Sequence, residues 1–292
     1  MNREPIPQQV VSAAAFLLPV QDCTHQSWRS KLNRPIRVVV FGGGPVLERG
    51  VKHFICRLEE WRDIEFLGAF CQPGEQTWPA IIRDLWRRRG LLALPLLLVQ
   101  IVRAIGRFLS DPRAEVQLRR KMAGLSDRIH PVPNIHDEEV LGRVRSLAPD
   151  LGLIYGSPIL KAELFDIPTL GTLGIHHGKA PEYRGKKTTF WAMYDGEKTA
   201  GVTIQKINAG LDTGEIVKQG EVTINQRSYR AVCQELERLG LELYVNAIIE
   251  VQQGVALYAP QVGKRRKLCR DPKFADLVRF TWRHFKRRFS EP

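Results

Sequence analysis

The stretch Arg34-Pro35-Ile36-Arg37-Val38-Val39-Val40-Phe41-Gly42-Gly43-Gly44-Pro45 decides the fold class. An unbroken run of β-branched and aromatic residues reads as a strand buried on both faces, and the glycines and proline behind it read as a tight turn. A helix is expected from Glu48 to Glu60 and a second strand from Ile64 to Phe70. Strand, glycine turn, helix and strand form the opening of a doubly wound, mostly parallel sheet of the Rossmann-like α/β class. A dinucleotide fingerprint would need glycine where Leu47 stands, so no NAD site is read here.

Working outward, the α/β pattern resumes at Val132. A helix is expected over Asp137 to Ser146 and a strand over Leu151 to Tyr155. Gly156-Ser157-Pro158-Ile159-Leu160 then forms a loop at that strand's carboxyl end, where open α/β sheets place ligands. Thr172 to His176 reads as another strand, and Gly201 to Ile207 alternates as a half-exposed one. Ser228 to Val251 reads as a long amphipathic helix with Ser228 as its cap.

Residues 1–34 are expected to be a poorly ordered extension, 35–252 the main domain, and 253–292 a basic helical tail. Residues 75–123 look like a helical insert made of Trp78 to Arg89 and Leu91 to Leu109, ringed by arginines. The insert is either a hairpin packed on the sheet or a segment dipping into a bilayer surface. Its apolar run from Leu91 to Val102 is interrupted by Pro95 and falls short of the roughly 20 residues a membrane span needs. In the tail, Phe274, Leu277, Val278, Thr281, Trp282, Phe285 and Phe289 recur at helical spacing among Arg279, Arg283, Lys286, Arg287 and Arg288. Such a helix either docks on its own domain or lies on an anionic membrane.

With 43% hydrophobic and 26% charged residues, the 292-residue chain can bury a sizeable core. Its net charge of +13 favours acidic partners: nucleic acid, anionic lipid, or phosphorylated and nucleotide-linked substrates. The five cysteines are odd in number, scattered and never spaced as CxxC, which argues against a disulfide framework and a metal site. A reducing, cytoplasmic compartment is expected.

Two segments carry the chemistry. In Gly174-Ile175-His176-His177-Gly178-Lys179-Ala180-Pro181-Glu182-Tyr183-Arg184-Gly185, a histidine at a strand's end is placed for proton transfer. In Gly210-Leu211-Asp212-Thr213-Gly214, the glycines flanking Asp212 let backbone approach a ligand. A carboxylate beside an imidazole orients it and stabilises its protonated form, which suits an amine that must shed a proton while attacking an acyl carbon.

His176 with Pro181-Glu182-Tyr183-Arg184-Gly185, then Gly201-Val202-Thr203-Ile204, then Gly210-Leu211-Asp212-Thr213-Gly214, resembles the folate-dependent formyltransferase family. The resemblance is specific over about residues 145–225 and looser back to residue 35. It implies transfer of a formyl group from 10-formyltetrahydrofolate to a primary amine on a Rossmann-like domain. It assigns catalysis to His176 and Asp212, and cover of the pteridine to Tyr155, Gly156, Ser157, Pro158 and Ile159, with Leu211 beside it. Gly43, Gly44, His177, Lys179 and Arg184 are expected to meet the acceptor. The family's asparagine is replaced by Gly174, and its Ser-Leu-Leu-Pro by Gly178-Lys179-Ala180-Pro181. Strand alternation puts Thr172 on the face of Gly174 and His176, so Thr172 is expected to reach toward the vacancy; a water there, or lost chemistry, are the alternatives.

The expected acceptor is an amine on a sugar carried by a nucleotide or lipid in surface polysaccharide synthesis, with an anionic inner-membrane surface as partner and no nucleic acid favoured. A methionyl-tRNA acceptor ranks lower because only a helix and a short tail follow residue 225. A catalytically silent binding protein and a formyltetrahydrofolate hydrolase are the other readings.

Overall fold

Val38, Val39, Val40 and Phe41 are all fully buried, as a strand covered on both faces requires. A computed structural model describes residues 32–43, 49–72, 112–225, 227–263 and 265–290. Most of the expected N-terminal extension, Gly44 and the Leu-rich part of the insert lie outside the described residues.

Strand β1 (Ile36–Gly43) is followed by α1 (Arg49–Glu59) and β2 (Ile64–Gln72). Helix α2 (Pro112–Ala123) precedes β3 (Ile129–Pro131), and α3 (Glu138–Leu147) leads into β4 (Leu151–Tyr155). The short α4 (Ala162–Phe165) precedes β5 (Thr172–His176), and α5 (Thr188–Asp195) precedes β6 (Thr199–Lys206). Then come β7 (Ile216–Thr223), the long α6 (Tyr229–Gln253) and α7 (Phe274–Ser290). The strands form one sheet in the order β3-β2-β1-β4-β5-β6-β7. The first five run parallel, and β6 and β7 are antiparallel additions. The chain reverses its direction of travel across the sheet between β1 and β4, the switch point where such sheets open a crevice.

Side chains of β1 divide between two cores. Val38 and Val40 join Phe54, Leu58, Tyr244 and Ile248 under α1 and α6, whereas Val39 and Phe41 join Leu141, Val144, Leu164 and Phe165 under α3 and α4. Tyr244 is fully buried, and its hydroxyl sits between β4 and β5. That hydroxyl accepts from the Ile154 amide at 3.0 Å and lies 2.7 Å from the Leu173 carbonyl. Ser228 Oγ accepts from the Ala231 amide at 3.2 Å, capping α6 as its sequence requires.

Three elements differ from expectation. Strand β6 is buried on both faces, interior to the sheet between β5 and β7 and packed against α5 and α6. Strand β3 forms despite Pro131, which an edge position tolerates. Strand β7 is masked in the sequence by Lys218, Gly220 and Glu221, which face outward or lie at half-covered positions. The tail packs on its own domain: Phe280 lies 4.8 Å from Phe190 between ring centres, and the Arg283 guanidinium sits 4.8 Å over the Tyr194 ring. Among the described residues no helix is long and apolar enough to cross a membrane.

Candidate active site

His176 closes β5 and is buried. Its Nε2 lies 2.7 Å from the Tyr183 carbonyl, which can only accept, so Nε2 carries the proton and Nδ1 presents a lone pair. Asp212 Oδ1 stands 3.5 Å from Nδ1. Burial lowers the His176 pKa against the opposing pull of Asp212 and the Tyr183 carbonyl. The ring is therefore a neutral base near pH 7. Two acceptors side by side suit an N–H donor that touches both.

Asp212 reaches this place by a detour. Because β6 runs antiparallel to β5, with Leu173 opposite Lys206 and His176 opposite Thr203, β6 ends near the beginning of β5. The loop after β6 must run back about 10 Å along the sheet to bring Asp212 to His176. It is held there by backbone: the Gly185 amide donates to Asp212 Oδ2 at 2.8 Å. Asp212 adopts φ 51°, a left-handed conformation that aspartate tolerates better than most residues. A Cβ on Gly214 would fall 1.6 Å from the Lys206 carbonyl oxygen, so only glycine closes the turn.

The tail completes the site. Gln261 Nε2 is within 3.0 Å of the Asp212 carbonyl and 2.8 Å of the Gly214 carbonyl. Cys269 pairs by backbone with Arg184 and Lys186, at 2.8 and 2.9 Å. Arg266 lies 4.7 Å over the Tyr183 ring and pairs with Asp195 at 2.9 Å and Glu197 at 2.7 Å. The loop whose carbonyl holds His176 and whose amide holds Asp212 is thus strapped from outside.

The other expected site residues separate into groups. Thr172 is a correction: its hydroxyl donates to the Phe165 carbonyl at 2.7 Å, so its one proton is committed to the α4 side of the core. Lys179 is paired with Glu221 at 2.6 Å, which raises its pKa, and it offers no unpaired charge. Gly43 is explained by packing, since a Cβ there would come within 2.6 Å of the Gly156 carbonyl oxygen. His177 Nε2 lies 2.9 Å from Glu237 Oε2, close enough for an ion pair but off the line of a hydrogen bond. The Tyr155 hydroxyl also donates to Glu237. Burial opposes ionisation of Glu237, but these contacts outweigh it and keep its pKa low. Arg184 keeps a buried Nε with no hydrogen-bond partner among the described residues.

In the loop after β4, Gly156 has φ 62° and Ser157 Oγ donates to the Pro158 carbonyl at 2.8 Å. Ile159 is 78% exposed, and Leu211, next to Asp212, is 46% exposed. Gln205, Gln261 and Glu237 were not among the expected site residues, and Tyr183 entered only as a member of its motif. Gln205 carried a signal, being an amide inside a strand whose only other long polar side chain is the terminal Lys206.

The family model described as formyl transferase matches residues 119–248. That span contains both His176 and Asp212. Residues 119–248 are thus similar to the formyl transferase family. Over 131 residues the chain is 34% identical to a methionyl-tRNA formyltransferase of Thermodesulfovibrio yellowstonii, covering 44% of this chain and 42% of that one. Over 230 residues it is 29% identical to the methionyl-tRNA formyltransferase of a Synechococcus strain, covering 78% and 62%. The chain thus spans less than two thirds of the length of these relatives. Among solved structures, a sugar N-formyltransferase from a Shewanella species superposes with a TM-score of 0.53 at 14% identity, covering 84% of this chain and 86% of that one. At that identity the likeness speaks for the fold, the α/β architecture read from residues 34–45.

Proposed function

We propose that the formyl transferase region moves a formyl group from 10-formyltetrahydrofolate to a primary amine, with His176 and Asp212 as its catalytic pair. The observation that carries this is the lone pair of His176 Nδ1 set 3.5 Å from Asp212 Oδ1. As the amine nitrogen bonds to the formyl carbon, the carbonyl electron pair moves onto oxygen and His176 Nδ1 takes the amine's proton. Asp212 stabilises the imidazolium so formed. Collapse breaks the bond from carbon to the donor nitrogen, which leaves with its electron pair and receives the proton. The exposed apolar side chains of Ile159 and Leu211 and the backbone of the loop after β4 suit a flat heteroaromatic ring.

For the acceptor, we favour an amino sugar on a phosphate-bearing carrier in surface polysaccharide assembly. Arg184 supports this, because its buried Nε has no hydrogen-bond partner among the described residues and its positive charge acts on His176. The His177–Glu237–Tyr155 cluster offers polar partners on the opposite side of β5. On α7, Phe274 and Trp282 are each 59% exposed and Val278 is 51% exposed, a ridge at helical spacing beside Lys273 and Arg279. That ridge supports contact with an anionic membrane surface. Binding without turnover is the second reading, and Gly174 favours it.

The test is formyl transfer from 10-formyltetrahydrofolate to a panel of nucleotide-linked amino sugars, with methionyl-tRNA included. The reading expects turnover of at least one amino sugar and its loss in His176→Ala by about 10²- to 10⁴-fold. Turnover of methionyl-tRNA alone would replace the sugar acceptor, and a His176→Ala variant at wild-type rate would sink the chemistry.

A further inference from the structure

The pairing of β5 with β6 puts Gly174 opposite Gln205 and His176 opposite Thr203. Residues directly opposite on antiparallel strands point to one face, so Gln205 shares the face of Gly174 and His176. A Cβ on Gly174 would come 2.6 Å from Ile207 Cδ1. Ile207 therefore fills the space in which a side chain at position 174 would begin, and no water need occupy it.

Gln205 is 4% exposed, and its carboxamide meets a polar partner at each end. Its Oε1 accepts from Gln261 Nε2 at 3.1 Å, and its Nε2 is 3.4 Å from Asp212 Oδ1. Gln205 Oε1 shares the Gln261 NH₂ group with the Asp212 and Gly214 carbonyls, and with its oxygen facing those donors the amide turns its own NH₂ to Asp212 and thus toward His176. An amide nitrogen carries two protons. One faces Asp212, and the second meets no acceptor among the described residues.

We propose that Gln205 Nε2 donates this second proton to the formyl oxygen as it becomes negative, replacing the amide that Gly174 cannot supply. The inference rests on the formyl-transfer reading above. When the amine–carbon bond forms, the carbonyl pair becomes an oxyanion within reach of the Gln205 N–H, and on collapse the pair returns to remake the carbonyl as the donor nitrogen departs. No proton leaves Gln205 in either step. Such a donor, pre-aimed in a buried site, needs no reorganisation at the moment of reaction. The tail acquires a role as well, since Gln261 orients the amide as a positioning residue.

The experiment uses the full chain and whichever acceptor the wild type formylates, with 5-formyltetrahydrofolate titrated as a probe of donor binding. Gln205→Met, of similar length and without a donor, is expected to lower kcat by about 10²- to 10³-fold with donor-probe affinity within about threefold of wild type. Adding Gly174→Asn with Ile207→Ala to Gln205→Met is expected to restore at least about tenfold of the lost kcat, a rescue that a merely structural Gln205 would not permit. Unchanged kcat in Gln205→Met overturns the assignment, as does a joint loss of kcat and probe affinity without rescue. A wild type that formylates no acceptor overturns the underlying reading together with this one, whereas a turning-over wild type with an indifferent Gln205 overturns this one alone.

Discussion

His176 and Asp212, separated by a loop, a helix and a strand in the chain, face each other at 3.5 Å with the histidine's proton held on the far nitrogen by the Tyr183 carbonyl. This fixes which nitrogen is the base without any substrate present. It also divides the labour: backbone sets the tautomer, and the carboxylate stabilises the charge that forms.

Asp212→Asn keeps the shape and removes the charge. We expect kcat to fall by about 10²- to 10⁴-fold, since the imidazolium loses its counter-charge. Asp212 is the largest influence raising the His176 pKa, so its loss shifts the acid limb of the kcat/KM pH profile to lower pH. A limb that stays in place or moves upward would contradict the pairing.

Burial lowers the His176 pKa in the folded chain, so between that value and about 6.5 the unfolded chain binds more protons than the folded one. Stability therefore falls as pH drops through that window, and His130, lowered mainly by burial, adds in the same direction. Denaturant titrations at stepwise pH should show this loss, and it should shrink in His176→Asn. A slope of opposite sign would refute the assigned shift.

Tyr244→Phe removes a hydroxyl that joins β4 to β5 beside Gly174. The buried Ile154 amide and Leu173 carbonyl lose a partner, at a cost of about 1–3 kcal/mol. Chemical denaturation measures this, and an unchanged midpoint would show that the ladder stands without it.

Trp282→Ala with Phe274→Ala should weaken co-sedimentation with phosphatidylserine vesicles and leave donor binding intact. Each large apolar side chain withdrawn from a membrane interface is worth about 1.5–3 kcal/mol at full burial, so partial insertion still predicts several-fold weaker binding. Equal retention on neutral and anionic vesicles would count against a basic, lipid-facing α7.

What the sequence determined by itself was local. Val38 to Phe41, Leu151 to Tyr155 and Thr172 to His176 read as strands because buried strands need unbroken β-branched runs or short apolar ones, and Ser228 announced its helix because a cap acts on its own neighbours. His176 and Asp212 were legible as candidates through a family resemblance in short motifs. Tertiary structure decided the rest. Side-chain partners across strands have no signature in either strand, so the Gly174–Gln205 pairing, the Phe165 carbonyl that takes the Thr172 hydroxyl and the Glu221 carboxylate that takes Lys179 appear only once register is set. The same holds for the tail: an amphipathic basic helix obeys one pattern whether it lies on protein or lipid, and packing of Phe280 on Phe190 settles one face while leaving Phe274, Val278 and Trp282 on the other.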